Sequence, residues 1–275
     1  MSLRAVGLLP HPTRAAAAEL ARYASDRLAA HGIDVRCPSG EASVLDPAGL
    51  DMVISLGGDG TMLRAVDLAY EAGVPVLGVN VGQMGYLAEV EPDDFDVALD
   101  RLVAGDYEVA ERMVLEITVE SEDTAQGRWF ALNEAVLEKV HTGRLARLEV
   151  EINGTYFTTY AADGVIVATP TGSTAYSFSA RGPIVSPRNR CVLLTPVSPH
   201  MLFDRSLVLA PEETLRFSVC DDHSVVLTAD GRELGELAAD DTVTFQGGAL
   251  PARIVTLWPR DFHQILKAKF GLSDR

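Results

Sequence analysis

The sequence DMVISLGGDGT, at residues 51–61, indicates how the first part of the chain folds. Its apolar portion, MVISL, is typical of a strand that is buried on both faces of a parallel sheet. The glycines Gly57, Gly58 and Gly60 follow at once, and helical spacing resumes near Thr61. Glycine lets a ligand approach the backbone, and a helix N-terminus offers unpaired N–H groups to an anion. The stretch therefore predicts a strand, a phosphate-binding turn and a helix in succession.

Alternating strand and helix patterns extend outward from this turn and define a first domain over residues 1–112. Strands are predicted at residues 6–9, 33–36, 51–56 and 74–79, and helices at residues 13–31, 61–71 and 94–103. Continuous apolar strands separated by helices favour an α/β domain with a parallel sheet covered on both faces.

The pattern changes after residue 112, where short strands dominate. They are predicted at residues 114–119, 129–139, 146–152, 156–160, 164–168, 191–195, 214–219, 224–229, 242–246 and 252–257. Such a series predicts a mostly antiparallel, sandwich-like domain over residues 113–257. Helical spacing returns at residues 261–270, so we expect residues 258–275 to form a C-terminal helix that packs back on the first domain.

Composition excludes several classes of protein. The 275 residues include 23 Lys and Arg against 39 Asp and Glu, a formal net charge of −16. This balance argues against partners such as nucleic acids and anionic membranes, which need a basic face. The three cysteines show no metal-type or disulfide-type spacing. No signal peptide and no run of roughly 20 apolar residues are visible, so we expect a cytoplasmic protein.

Asp59 is the unusual residue of the glycine turn. A carboxylate there would repel phosphate unless it holds a cation or accepts a proton, and both roles belong to phosphoryl transfer. The alternative is an ordinary turn in which Asp59 only caps the helix. Arg64 follows one helical turn later, where its guanidinium could reach a phosphate. Neither GxxxxGK[ST] nor GxGxxG, the common phosphate-binding motifs, occurs at this turn.

Asn133 and Glu134 interrupt both faces of the strand predicted at residues 129–139. A carboxylate within an apolar run must be hydrogen-bonded or change its pKa. One interpretation is a pair that contacts polar groups of a ribose or an adenine. The alternative is an edge strand on which Glu134 simply meets water.

A second polar segment begins at Asp163 and continues, after an apolar strand, into TPTGSTAYS at residues 169–177. Hydroxyl side chains can bind sugars and phosphates without adding charge. Ser and Thr are also common in ordinary turns, so composition alone leaves both interpretations open.

In this order and spacing, the GGDGT turn, the Leu132-Asn133-Glu134 segment and the DG…TPTGSTAYS segment resemble the signature of NAD kinases. The resemblance implies transfer of the γ-phosphoryl group of ATP, or of polyphosphate, to the 2′-hydroxyl of the adenosine ribose of NAD. It also implies Mg²⁺ or another divalent cation, small-molecule nucleotides as partners, and a homodimer or homotetramer. Asp59 would be the catalytic proton acceptor.

The motifs and the resemblance together assign seventeen residues to the NAD and ATP sites, and none as a metal ligand. They are Gly57, Gly58, Asp59, Gly60, Thr61, Arg64, Asn133, Glu134, Arg144, Asp163, Thr171, Thr174, Ala175, Tyr176, Ser177, Phe178 and Ser179. The chain departs from the family pattern at Ala162 and Arg181, where glycine is frequent, which puts the conformation of these loops in question.

Two other functions remain as alternatives. A lipid kinase shares the GGDGT turn, but the net charge of −16 and the lack of a basic amphipathic helix disfavour it. A non-catalytic NAD sensor would keep Asn133, Glu134 and Asp163, but it would have no need of Asp59.

Overall fold

The computed structural model describes residues 3–38, 45–82, 85, 87–121, 127–220, 224–259 and 261–272. The chain divides into two units. One unit combines Met1–Glu111 with Ala252–Arg275, and the other is Arg112–Pro251. The segment that carries the C-terminal helix therefore belongs to the first unit.

The helices and strands are numbered in chain order. The strands are β1 (Ala5–Pro10), β2 (Asp34–Arg36), β3 (Met52–Gly57), β4 (Val76–Asn80), β5 (Glu108–Arg112), β6 (Leu115–Glu120), β7 (Gly127–Ala131), β8 (Glu134–Lys139), β9 (Ala146–Ile152), β10 (Thr155–Ala162), β11 (Gly164–Ala168), β12 (Val192–Val197), β13 (Leu207–Leu209), β14 (Leu215–Val219), β15 (Val225–Ala229), β16 (Arg232–Leu237), β17 (Thr242–Gly247) and β18 (Ala252–Thr256). The helices are α1 (Ala15–Ala30), α2 (Asp59–Tyr70), α3 (Phe95–Ala104), α4 (Tyr176–Ser179) and α5 (Phe262–Phe270), with single 3₁₀ turns at Pro92–Asp94 and Gly172–Thr174.

The first unit has the predicted α/β architecture. Its sheet has the strand order β2-β1-β3-β4-β18-β5, and the pairs from β2 to β18 are parallel. Every residue of β3 is buried, as its continuous apolar sequence predicts. Helix α1 buries Ala17, Ala21, Ala24 and Leu28 at the three- and four-residue spacing that places them on one face.

The second unit has the predicted antiparallel sandwich. One sheet has the order β10-β9-β14-β17-β6-β7 and the other β13-β12-β11-β8-β15-β16. Alternate residues of both sheets form one apolar core, in which the rings of Phe217 and Phe245 meet edge to face at 5.5 Å. This core holds the two sheets together.

Strand β18 corrects the predicted boundary at residue 257. Residues 252–256 were assigned to the second domain, but β18 pairs in parallel with β4 of the first sheet, so the second unit ends at Pro251. The local pattern of an apolar strand does not say which sheet accepts it.

The strand predicted at residues 129–139 is two strands. Strand β7 pairs with β6 in one sheet, whereas β8 lies between β11 and β15 in the other. Leu132 and Asn133 carry the chain from one sheet to the other. The short or polar strands β5, β13 and β16 were not predicted, because a strand such as RELGEL lacks apolar alternation.

Within the described ranges, no helix has both the length and the apolar character that crossing a bilayer requires.

Candidate active site

The glycine turn connects β3 to α2 in the first unit. Helix α2 begins at Asp59, two residues earlier than predicted, and Gly58 is its N-cap. The N–H groups of Thr61 and Met62 both donate to the carbonyl of Gly58, at 3.0 and 3.1 Å. Asp59 is therefore the first helical residue, and the alternative in which it caps the helix is wrong.

The glycines of this turn serve different purposes. A Cβ atom on Gly57 would lie 2.2 Å from Oγ1 of the buried Thr61, so packing requires glycine at that position. A Cβ atom on Gly58 or Gly60 would meet no described atom within 4 Å, and neither residue has a positive φ. The fold of this unit does not require glycine at these two positions. The open space beside them instead lets a ligand approach the backbone.

The Asp59 carboxylate is held from a neighbouring segment. Its Oδ1 accepts the N–H of Leu87 at 2.9 Å. A Cβ atom on Gly85 would lie 2.0 Å from the same oxygen, so only glycine allows this close approach. The sequence analysis missed Gly85 and Leu87. The only local signal was a glycine in the loop after β4.

Arg64 is exposed on α2, one turn beyond Gly60. It lies in the first unit with Gly57, Gly58, Asp59 and Thr61. The structure therefore brings the first group of predicted residues together on one strand–turn–helix segment.

The second unit fixes Asn133 and Glu134 where the chain passes between its sheets. The Asp230 carboxylate accepts the backbone N–H groups of Leu132 at 2.7 Å, Asn133 at 2.8 Å and Glu134 at 3.1 Å. Asp230 N–H donates in return to the Glu134 carbonyl at 2.9 Å. Because these N–H groups donate to the Asp230 carboxylate, β7 cannot continue as one strand into β8.

Glu134 is buried on a central strand. Its exposure is 9%, so the alternative of a water-exposed edge carboxylate is wrong. The pKa of Glu134 is raised to about 7, mainly by burial and then by the charge of Asp230, while the hydrogen bond from the Tyr176 N–H acts in the opposite direction. Its Oε2 has no hydrogen-bond partner among the described residues. This oxygen is suited to a polar group of a ligand.

The hydroxyl-rich segment packs directly on Asn133. It forms the 3₁₀ turn Gly172–Thr174 and the short helix α4 rather than an irregular loop. Thr169 N–H donates to the Asn133 carbonyl at 2.8 Å. A Cβ atom on Gly172 would lie 2.1 Å from the same oxygen. The predicted Asn133-Glu134 and Thr171–Ser179 segments are thus one packed cluster.

Several hydroxyls of this segment serve the fold. Thr169 Oγ1 donates to the Leu132 carbonyl at 2.6 Å, and Ser173 Oγ donates to the Pro170 carbonyl at 2.7 Å. Ser177 is fully buried, and its hydroxyl lies 3.2 Å from that of Thr195. The Ser177 side chain therefore has a structural role, and its contact with a ligand stays a prediction.

Other side chains of the segment are open to a ligand or partly so. Thr171 Oγ1 is buried without a partner in the described part of the chain. Thr174 and Ala175 are half-buried, and Phe178 and Ser179 are exposed. Tyr176 donates its hydroxyl to Glu138 at 2.9 Å, and burial together with this bond raises the pKa of Tyr176 to about 12.

Asp163 lies beside this cluster. Lys139 forms a hydrogen-bonded ion pair with it, which lowers the pKa of Asp163. The charge of Asp163 in turn contributes to the raised pKa of Tyr176. Arg144 lies in the exposed turn between β8 and β9.

The two departures from the family pattern differ in their structural consequence. Arg181 has φ 66° just after α4, in the left-handed region that favours glycine. The chain therefore keeps this backbone conformation without glycine. Ala162 ends β10 and is buried, and its φ is not positive.

A parallel α/β unit with an acidic residue in its glycine turn, followed by a sandwich unit with a buried polar cluster, is the arrangement expected of a nucleotide-dependent kinase. The family profile described as the ATP-NAD kinase N-terminal domain matches residues 38–107, and the ATP-NAD kinase C-terminal domain profile matches residues 132–257. The chain belongs to the NAD kinase family.

Individual relatives agree with this assignment. NAD kinase 2 of Streptomyces avermitilis is 41% identical over 98% of this chain and 95% of its own length. NAD kinase of Heliobacterium modesticaldum is 44% identical over 80% of this chain and 78% of its own length.

Solved structures share the fold. Yeast NADH kinase complexed with NADH has a TM-score of 0.89 at 23% identity and covers 100% of this chain and 89% of its own. An NAD kinase from Archaeoglobus fulgidus in complex with ATP has a TM-score of 0.75 at 24% identity, and the match covers 99% of this chain and 100% of the other.

Proposed function

We propose that this member of the NAD kinase family transfers the γ-phosphoryl group of ATP to the 2′-hydroxyl of the adenosine ribose of NAD, giving NADP. The observation that carries the proposal is the placement of Asp59. Asp59 is the first residue of α2 and lies between Gly58 and Gly60, the two glycines with open space beside them. The Leu87 N–H donates a hydrogen bond to one oxygen of the Asp59 carboxylate. A carboxylate in this position can contact a hydroxyl group of one substrate while the neighbouring backbone contacts a phosphate of the other.

Asp59 orients the 2′-hydroxyl and accepts its proton. The new bond joins the 2′-oxygen to the γ-phosphorus, the bond from that phosphorus to the β–γ bridging oxygen breaks, and ADP leaves. Phosphoryl transfer passes through a loose transition state, so alignment and charge neutralisation matter more than a strong base. Arg64 binds a phosphate oxygen from the next turn of α2.

The second unit binds the adenosine half of NAD. Asn133, Glu134 and the segment Thr171–Ser179 supply the polar contacts, and the buried Glu134 Oε2 and Thr171 Oγ1 provide unsatisfied atoms for them. With a pKa of about 7, the Glu134 carboxyl can either donate or accept a hydrogen bond near neutral pH. Asp163 and Arg144 are proposed as further contacts.

A divalent cation such as Mg²⁺ enters with ATP as part of the substrate and neutralises phosphate charge. The described residues contain no group of three or more His, Cys, Asp or Glu that would hold a metal by themselves. Nucleotide-bound Mg²⁺ keeps its waters and phosphate ligands and uses only one or two carboxylates of a protein.

We also propose a homodimer or homotetramer. The edge strand β10 exposes Tyr156 by 58% and Phe157 by 39%, which is apolar surface suited to a second copy. Sedimentation equilibrium at several protein concentrations tests this, and a monomer at every concentration would contradict it.

One assay tests the function. The protein is incubated with ATP, Mg²⁺ and NAD, and an NADP-specific dehydrogenase detects the product. We expect NADP to accumulate with equal consumption of ATP. Tight NAD binding without ATP consumption would instead support the sensor, and radiolabel transferred from ATP to a lipid would support the lipid kinase. Polyphosphate in place of ATP tests the alternative donor.

A further inference from the structure

One carboxylate organises the backbone of the proposed NAD-binding pair from a distant part of the chain. Asp230 follows β15 in the turn before β16, about a hundred residues after Asn133. Its Oδ2 accepts the Leu132 N–H, and its Oδ1 accepts the N–H groups of Asn133 and Glu134. Both carboxylate oxygens are therefore used, on three successive backbone N–H groups.

These N–H groups need a special partner. They lie where the chain leaves β7 in one sheet and enters β8 in the other, so strand pairing does not satisfy them all. A buried N–H without a partner is costly, and a hydrogen bond to a carboxylate is stronger than one to a neutral oxygen. Asp230 thus holds the crossing in one conformation.

The hairpin that carries Asp230 is itself aligned with β8. Ala229 pairs with Ala135 on one side and with Arg232 on the other. Asp230 has φ 47°, a left-handed conformation that Asp and Asn tolerate better than most residues. Its position relative to Asn133 is therefore set by strand register rather than by a mobile loop.

We propose that Asp230 is a positioning residue for NAD, which fixes the backbone of Leu132, Asn133 and Glu134 so that the Asn133 and Glu134 side chains meet the nucleotide. This inference rests on the proposed function, in which Asn133 and Glu134 bind NAD. It assigns to Asp230 no contact with the substrate.

Asp230→Asn is the sharpest test, because Asn keeps the size and tolerates the left-handed backbone but has one acceptor oxygen instead of two. We expect KM for NAD to rise about tenfold, which corresponds to about 1.4 kcal/mol. KM for ATP and kcat at saturating NAD should change little. Asp240→Asn is the matched control, since Asp240 is an exposed aspartate of the same unit with φ 69°. It should match the wild type.

The pH profile separates positioning from a general loss of stability. Asp230 is the charged side chain that acts on Glu134, and the N–H of Tyr176 is the opposing polar group. Removing the Asp230 charge lowers the pKa of Glu134, so the Glu134 limb of kcat/KM for NAD should move to lower pH. In a Glu134→Gln background this limb should be absent, and Asp230→Asn should no longer shift the profile.

An unchanged KM for NAD in Asp230→Asn, or a change shared equally by Asp240→Asn, would overturn the inference. If Asp230→Asn shows no cooperative thermal transition, Asp230→Glu replaces it. That variant keeps the charge and both oxygens but displaces them by one methylene, and the same rise in KM for NAD is expected. A wild-type protein that forms no NADP would contradict the proposed function itself, and with it this inference. If the wild type forms NADP but the Asp230 variants have an unchanged KM for NAD, the inference about Asp230 is contradicted and the proposed function is not.

Discussion

Asp230, in the turn after β15, and Glu134, the first residue of β8, exchange two hydrogen bonds although both carry carboxylates. The Glu134 N–H donates to Asp230 Oδ1 at 3.1 Å, and the Asp230 N–H donates to the Glu134 carbonyl at 2.9 Å. Their backbones are bound together while their charges repel. This relationship places a buried acid with a raised pKa in the middle of the proposed nucleoside site.

Glu134→Gln should change how stability depends on pH. The pKa of Glu134 in the folded protein, about 7, lies above its ordinary value of 4.5 because of burial and then the Asp230 charge. The protonated Glu134 therefore contributes its full stability to the folded wild type below pH 4.5, and this contribution is lost as the pH rises through about 7. The loss is on the order of 3 kcal/mol. The Gln variant should not show it.

Urea denaturation of both proteins between pH 4 and pH 8 (about one measurement per half unit) checks this prediction. Glu212→Gln, at an exposed position of the same unit, is the control and should follow the wild type. Parallel curves for Glu134→Gln and the wild type would show that Glu134 does not ionise late in the folded protein.

Gly60→Ala should separate stability from activity. A Cβ atom at this exposed position of α2 meets no described atom within 4 Å, and alanine favours a helix over glycine by roughly 0.5–1 kcal/mol. We therefore expect equal or higher thermal stability. NADP formation should fall about tenfold or more, because the methyl group occupies the space that a ligand needs. Unchanged activity would show that this space is not used.

Gly57→Ala provides the contrast to Gly60→Ala. Its Cβ atom would lie 2.2 Å from Thr61 Oγ1, so this variant should lose stability as well as activity. Thermal denaturation of the two variants side by side distinguishes a glycine that the fold needs from one that the ligand needs.

Gly172→Ala should damage the proposed nucleoside site through the backbone. The new Cβ atom would lie 2.1 Å from the Asn133 carbonyl oxygen and 2.5 Å from its carbon, so Asn133 must move. We expect KM for NAD to rise while KM for ATP changes little, together with a loss of about 1–3 kcal/mol in the free energy of unfolding. A variant with normal KM for NAD would show that Asn133 is not needed where the structure places it.

The sequence predicted the elements whose signals are local. Strand β3 is an apolar run that ends in glycine, and β11 is an apolar run that begins with glycine, so both were placed within a residue or two. Most strands of the sandwich followed from apolar patterns, with β13 and β16 as the exceptions. Helix α2 begins two residues earlier than predicted, because the glycines of the turn weaken the helical pattern at its start.

Long-range contacts could not be predicted in the same way. The break between β7 and β8 depends on Asp230, and the restraint on Asp59 depends on Gly85 and Leu87. No local pattern links these residues. Similarly, nothing in the sequence distinguishes the buried Ser177 from the exposed Ser179, and only the contact of its hydroxyl with that of Thr195 shows its structural role.

The most direct test of the account is the turnover of Asp59→Asn. Asn can keep an oxygen for the Leu87 N–H, so the fold and the affinity for NAD should remain, while kcat for NADP formation should fall about 10²–10⁴-fold because the proton acceptor is lost. Asp67→Asn, an exposed change on the same helix, is the control and should leave kcat near that of the wild type. A folded Asp59→Asn protein that forms NADP at the wild-type rate would contradict the central claim.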